Sequence, residues 1–201
     1  MGNGRWRAIA AAGEGQAEGT AMASGIRVLG IDDSPFSRSD RDALVVGVVM
    51  RQGVAEAVMS ARVDVDGNDA TEKIISMISN SRYSKPKQLG CIMLGSIMTA
   101  GFNVVDINFL SQTLKTPVIA VTRKRPDAQL VARTLERIGM GGKIPLVEKA
   151  GRAYRHKYYM QIAGLTVEEA KRIIDEVGAE PLRLAHIIAG GVVKGESKGR
   201  M

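Results

Sequence analysis

Cysteine, histidine and long apolar runs are all scarce in this chain of 201 residues. The single cysteine, Cys91, rules out an intramolecular disulfide. It sits in an apolar run, where a buried structural thiol is expected rather than a nucleophile. Such usage suits a reducing cytoplasm. The two histidines, His156 and His186, provide neither the His–Cys spacing of a zinc site nor a Ser–His–Asp grouping. No apolar stretch approaches the roughly 18 residues that a membrane helix needs. Gly190-Gly191 followed by Lys194 lacks the spacing of a phosphate-binding Walker loop. Asp64–Asp69 invites a calcium-loop reading, but Asp69 stands at the loop-glycine position and Ile75 at that of the closing glutamate. There is no internal repeat.

What remains is enough for one domain with a sizeable core, since 45% of residues are hydrophobic. The net charge of +7 is unevenly spread. Asp32–Glu72 carries nine acidic against four basic residues, and Arg123–Lys157 carries ten basic against three acidic. An acidic front and a basic back half suit metal binding by one part and polyanion binding by the other. The plainer alternative is a set of solvated lysines and arginines on exposed faces. Residues 1–24, rich in Gly, Ala, Gln and Glu without apolar periodicity, read as a disordered leader. Ala8–Ala12 is too short for a signal-peptide core, and Trp6 replaces the Ser or Thr of a myristoylation motif. Met22 is the expected true start. Residues 25–201 are expected to form a single domain.

The stretch from Gly25 to Phe36 is an apolar run that stops on Asp32 and Asp33 before Ser34-Pro35. It predicts a buried strand that presents carboxylates at one end of a sheet, with Gly30 permitting a close backbone approach. Ala43–Met50 and Val54–Val65, separated by Arg51-Gln52-Gly53, predict two more strands in an antiparallel meander. Asp69 or Thr71 caps a helix carrying Ile74, Ile75 and Ile78. From Gly90 strands and helices alternate: Cys91–Leu94, a helix from Val104 to Leu114, Pro117–Val121, and a helix from Asp127 to Ile138 stopped by Gly139. Ile144–Val147 and Ala153–Ile162 predict further strands. A capping box at Thr166–Glu169 opens one more helix, and Pro181 starts the last. An antiparallel three-strand meander followed by parallel strand–helix units is the α/β layout of a ribonuclease H-like mixed sheet.

Gly30–Phe36, Gly101–Ile107, Leu182–His186 and Gly195–Arg200 resemble a mainly archaeal family catalogued as domain of unknown function ninety-nine. The likeness runs over about 25–201 in one order. That family is similar to endonuclease V, which has the ribonuclease H-like fold and cuts nucleic acid near deaminated bases with carboxylates and Mg²⁺. The resemblance implies Asp32 at the first metal-ligand position and Asp69 near the glutamate ligand. It implies a basic pair at Arg123-Lys124, and His186 at the last position of the C-terminal segment. Two departures stand out. Gly95-Ser96 occupies the place of a ligand aspartate, and the Pro-Tyr-Ile-Pro wedge of such nucleases is missing.

Two-metal hydrolysis needs carboxylates converging on ions about 4 Å apart. Asp32 and Asp69 are the expected ligands, for Mg²⁺ with Mn²⁺ as the substitute. Asp33 alternates to the other strand face and is expected to cap the turn at Ser34. Gly95 has no side chain to ligate, Ser96 is a weak substitute, and Asp106 is expected inside a helix as a partner for a basic residue. His186 either carries a proton, because imidazole ordinarily titrates near neutrality, or is a satisfied structural group. Arg152–Tyr159 mixes cations and aromatics as single-strand binders do. On one strand, Arg152, Tyr154, His156 and Tyr158 would share a face. The alternative is an edge strand guarded by charge. Arg123, Lys124 and Arg155 are the expected phosphate contacts, with DNA or RNA as partner. The expected function is an endonuclease V-like nucleic-acid-binding protein with weak Mg²⁺-dependent nuclease activity. The alternative is a non-catalytic binder or adaptor that kept the fold and lost the metal site.

Overall fold

A computed structural model describes residues 25–197. The expected leader at 1–24, the start at Met22 and the end of the basic tail lie outside the described residues. The first three strands are β1 (Val28–Asp33), β2 (Asp42–Arg51) and β3 (Val54–Asp64), paired antiparallel as a meander. Helix α1 (Ala70–Ser79) follows, then β4 (Cys91–Leu94), the small hairpin β5 (Met98–Thr99) and β6 (Asn103–Val104), and α2 (Ile107–Leu114). Next come β7 (Val118–Thr122), α3 (Ala128–Arg137), α4 (Ile144–Lys149), β8 (Tyr154–Arg155), β9 (Tyr159–Ala163), α5 (Val167–Val177) and α6 (Glu180–Lys194). The main sheet has seven strands in the order β3-β2-β1-β4-β7-β9-β8. β1, β4 and β7 run parallel, while β9 returns antiparallel to β7. Among the described residues no helix is long and apolar enough to cross a membrane.

Both faces of the sheet are covered, so its central strands read as unbroken apolar runs. Leu29, Ile31, Ile92, Leu94 and Val118 face a core completed by Ile74 and Ile78 of α1 and by Ile107 and Leu110 of α2. The alternate residues Val28, Cys91, Met93 and Ile119 face Ile173 and Ile174 of α5 and Leu182 of α6. Burial pushes the Cys91 thiol up to about 12, so it packs as a small apolar group.

Helix α6 lies across β1 and β2, with Ala185 and Ala189 against Val46, Val48 and Met50. Gly30 permits this. A Cβ placed there would meet the carbonyl carbon of Pro181 at 2.3 Å. Gly30→Ala is therefore expected to lift the start of α6 from β1 and to cost about 1–3 kcal/mol as overpacking. Chemical denaturation checks this, and an unchanged midpoint would show that the helix shifts freely.

Four expectations are corrected. Ile144–Val147 is helical rather than a strand, because a 3₁₀ turn at Gly141–Lys143 feeds it and Pro145 presets its first turn. Ala153–Ile162 is two strands, folded back at His156–Tyr158, where the His156 N–H donates to the Tyr158 carbonyl at 2.8 Å. The alternating faces expected for one strand do not exist. His156 and Lys157 instead contact the Asp175 carboxylate of α5 at 2.9 and 2.8 Å. The helix expected from Val104 begins at Ile107, because Asp106 is its cap and accepts from the Asn108 and Phe109 N–H groups. Burial alone would raise the Asp106 carboxyl. Lys149, 2.6 Å away, together with those N–H groups brings it below the usual range.

Candidate active site

The parallel strands β1 and β4 end side by side, and the polar groups gather there. Asp32 points to the α6 face, where His186 Nδ1 lies 2.9 Å from Oδ2, a contact in which the ring nitrogen donates to the ionised carboxylate. The pair joins residues 154 apart in the chain. Burial pushes the Asp32 carboxyl up to about 6, the charge of Asp33 adds to this, and His186 opposes it. Asp33 is also raised, chiefly by burial. The Ala100 N–H, donating to Asp33 Oδ2 at 2.7 Å, works against that rise.

Asp33 does not cap the turn at Ser34. At the strand end its side chain interacts with that of Asp32 while also fastening the β5–β6 hairpin. Both carboxylates line one cavity of about 10 Å³ with Gly95, Ser96, Met98 and Thr99. Gly95 is explained by Asp32 itself, since a Cβ there would stand 2.7 Å from Asp32 Oδ1. The space that a side chain at 95 would need already holds a carboxylate. The Ser96 hydroxyl accepts from the Met98 N–H at 3.0 Å and shapes the loop.

Asp69 occupies the N-cap position of α1 without making a cap hydrogen bond. Its Oδ1 accepts from the Asp64 N–H at 3.1 Å and from Asn103 Nδ2 at 2.7 Å. Asn103 supplies the missing cap from across the fold, accepting from the Ala70 N–H at 3.1 Å. Thr71 accepts from the Asp106 N–H rather than capping its own helix. Lys143 adds a further tie, its Nζ donating to the carbonyls of Asp66, Gly67 and Phe102 at 2.6, 2.7 and 2.8 Å. This corner holds the hairpin that Asp33 grips.

Among the described residues no group of three or more His, Cys, Asp or Glu side chains is arranged to hold a metal ion. The donor set does not fit a two-ion centre. It does fit one magnesium-like ion, which keeps most of its waters and takes one or two carboxylates plus substrate phosphate oxygens. Asp32 and Asp33 are such a pair, and the unfavourable charge that raises them would be relieved by a cation.

The expected cations lie along the neighbouring surface. Arg123 and Lys124 are exposed on the turn after β7, where Thr122 Oγ1 donates to the Lys124 carbonyl at 2.9 Å. Arg155 is exposed, with its guanidinium 4.9 Å from the Tyr159 ring, and Arg152 lies 4.7 Å from that of Tyr154. A pocket of about 270 Å³ shares Ser96 and Met98 with the Asp32 cavity. It shares Arg125, Pro126, Ala128 and Gln161 with an open groove of about 890 Å³ that reaches Arg152, Tyr154 and Arg155. By these shared lining residues the three adjoin in sequence, from the cavity of the buried carboxylates to a groove lined by Arg125, Arg152, Arg155 and Tyr154. No sequence motif marks Gln161, which sits where the pocket meets the groove.

Comparison with known proteins gives three findings. Residues 24–193 match the profile of a family described as Endonuclease dU. A UPF0215 protein of Methanothermobacter thermautotrophicus is 44% identical over 189 residues, covering 88% of this chain and 92% of its own length. Two solved structures share the fold. A protein of unknown function from Archaeoglobus fulgidus has a TM-score of 0.77 at 36% identity, covering 84% of this chain and 98% of its own. An endonuclease V from Ciona intestinalis, in complex with a 24mer DNA containing an inosine, has a TM-score of 0.51 at 12% identity, covering 82% of this chain and 84% of its own.

Proposed function

The chain belongs to the Endonuclease dU family, and from that premise we propose that it is an endonuclease V-like protein that binds nucleic acid and cuts a strand beside a deaminated base, deoxyuridine first among them. The sheet order, with three parallel strands flanked by the meander, supports reading the fold as ribonuclease H-like. One observation carries the functional reading. A buried pair of raised carboxylates lines the first of these adjoining cavities, and arginine and tyrosine line the last.

Asp32 and Asp33 would hold a single Mg²⁺, or Mn²⁺ in its place. The ion, when bound, supplies Lewis-acid activation of a water and charge neutralisation on phosphate oxygens. Asp33 takes the part first given to Asp69, whose carboxylate serves the corner at Asn103. His186 would have both a positioning and a catalytic part. Its Nδ1 fixes the Asp32 carboxylate, and its Nε2, without a protein partner among the described residues, can move a proton at the leaving oxygen. Arg123, Lys124 and Arg155 meet phosphates, and the Tyr154 ring offers a stacking surface.

The second reading, a binder or adaptor without catalysis, is favoured by one feature. Glycine stands at position 95, so no third carboxylate backs the Asp32–Asp33 pair from β4. Labelled single- and double-stranded DNA, with and without deoxyuridine, separates the two. Cleavage in Mg²⁺ that is lost in EDTA and in Asp32→Ala supports the nuclease. Salt-sensitive binding without cleavage supports the adaptor. Neither binding nor cleavage defeats both.

A further inference from the structure

Resting on the proposed nucleic-acid function, we infer that the pocket between the carboxylates and the cationic rim receives one unstacked base, and that Gln161 reads it. The pocket, at about 270 Å³, is just below the usual range of about 300–1,000 Å³ for small-molecule sites. Its walls include Ile97, Met98, Pro126, Val131 and Val147, apolar surface suited to the faces of a planar ring. Ser96 and Met98 belong both to it and to the Asp32 cavity. A nucleotide whose base lies here therefore has its backbone beside the carboxylate pair, with the flanking strand leaving past Arg125, Arg152 and Arg155.

Polar groups on the pocket wall are mostly engaged. Ser96 Oγ accepts from the Met98 N–H, and Thr122 Oγ1 donates to the Lys124 carbonyl. Gln161 differs. Its Nε2 donates to the Gly151 carbonyl at 2.9 Å, which fixes the amide and leaves Oε1 as an acceptor without a protein partner among the described residues. Gln161 is itself buried, 7% exposed, and its backbone is held in β9 opposite Ala120. The carboxamide is thus preset before any ligand arrives.

An acceptor fixed in this way selects by the ring nitrogen of the base. Uracil and hypoxanthine carry an imino N–H there, which can donate to Oε1. Cytosine and adenine carry a bare ring nitrogen at that place, so two acceptors would face each other. Deamination converts the second kind of base into the first, and a site that hydrogen-bonds its substrate strongly rejects the analogue that leaves it unpaired. Gln161 would then favour uracil and hypoxanthine over cytosine and adenine, the bases they derive from, while thymine and guanine, which carry the same imino N–H, are not told apart by this contact.

The test is equilibrium binding of the full chain in EDTA, where no strand is cut. The probes are single-stranded oligonucleotides bearing 2-aminopurine beside a central uracil, hypoxanthine or cytosine. Wild type is expected to favour uracil and hypoxanthine over cytosine by about tenfold or more, with enhanced 2-aminopurine fluorescence reporting the unstacked neighbour. In Gln161→Leu and Gln161→Met the preference is expected to collapse to about twofold or less, with the uracil and hypoxanthine strands losing more affinity than the cytosine strand. A preference that survives in either variant overturns the assignment of Gln161. So does an equal loss of affinity for all strands, which would make Gln161 a residue of the fold. A wild type that cuts at uracil in Mg²⁺ but shows no preference in binding overturns the inference and leaves the nuclease standing. A wild type that neither binds nor cuts overturns both.

Discussion

Asp32→Asn is expected to abolish strand cleavage and, in the same protein, to raise stability at neutral pH. On the proposed function, the first effect follows from removing a carboxylate that would hold the metal and that His186 contacts. Losing several kcal/mol of transition-state stabilisation slows cleavage by a factor of about a thousand or more. The second follows from burial. The Asp32 carboxyl is raised from 3.8 to about 6 in the fold, so the folded state prefers it protonated. Its favourable contribution is complete below about pH 4 and is lost as pH rises through about 6. The shift corresponds to about 3 kcal/mol at neutral pH. Asparagine keeps an acceptor for His186 Nδ1 without the buried charge. Denaturation in metal-free buffer should show the variant ahead of wild type at pH 7.5, with the gap closing towards pH 4. A variant less stable than wild type at pH 7.5 would mean that the His186 pairing outweighs burial.

Loss of Arg152 and Arg155 together is expected to weaken single-strand binding by one to two orders of magnitude and to flatten its salt dependence. Both arginines line the open groove, and their guanidiniums stand 4.7 and 4.9 Å from the rings of Tyr154 and Tyr159. On the proposed function, removing one takes away a phosphate contact and the brace for a ring on which a base could stack. Two lost phosphate contacts should reduce the slope of log K against log salt by about 1.4 for single strands. The double alanine variant, titrated between 50 and 300 mM salt, checks both expectations. An unchanged slope would move the strand away from this groove.

Much of the fold could be read from the chain because it depends on local periodicity. The meander, the parallel strands and the capped α3 and α5 follow from apolar spacing and cap residues that act within a few positions. The failures have local physical causes too. Ile144–Val147 carries strand-forming side chains, yet Pro145 sits comfortably in a first helical turn. The turn at His156–Tyr158 lacks the Gly, Pro or Asn that marks most turns, so two short strands read as one. Gly30 predicted a close approach, and the backbone that approaches is that of Pro181, far along the chain.

The site was less legible because it is tertiary. Resemblance pointed to Asp32 and His186, and their 2.9 Å contact spans 154 residues. Strict strand alternation sent Asp33 away from Asp32, but β1 ends there and the side chain swings back to the cavity. Asp69 had the right place before a helix. The competing partner was Asn103, which no local pattern links to it. Gln161 lies inside an apolar strand stretch, and only the fold reveals the pocket it borders.

The comparison that bears most directly on this site is single-turnover cleavage of a deoxyuridine strand in Mg²⁺ by Asp33→Asn and by Asp69→Asn. Both replacements keep one hydrogen-bond acceptor oxygen, remove the charge and exchange the second oxygen for an NH2 group. Wild type and Asp69→Asn are expected to cut at similar rates, because Asp69 accepts from Asp64 and Asn103 in either form. Asp33→Asn is expected to lose cleavage while remaining folded. An inactive Asp69→Asn beside an active Asp33→Asn, or a wild type that leaves the strand intact, would contradict the carboxylate pair as the catalytic centre.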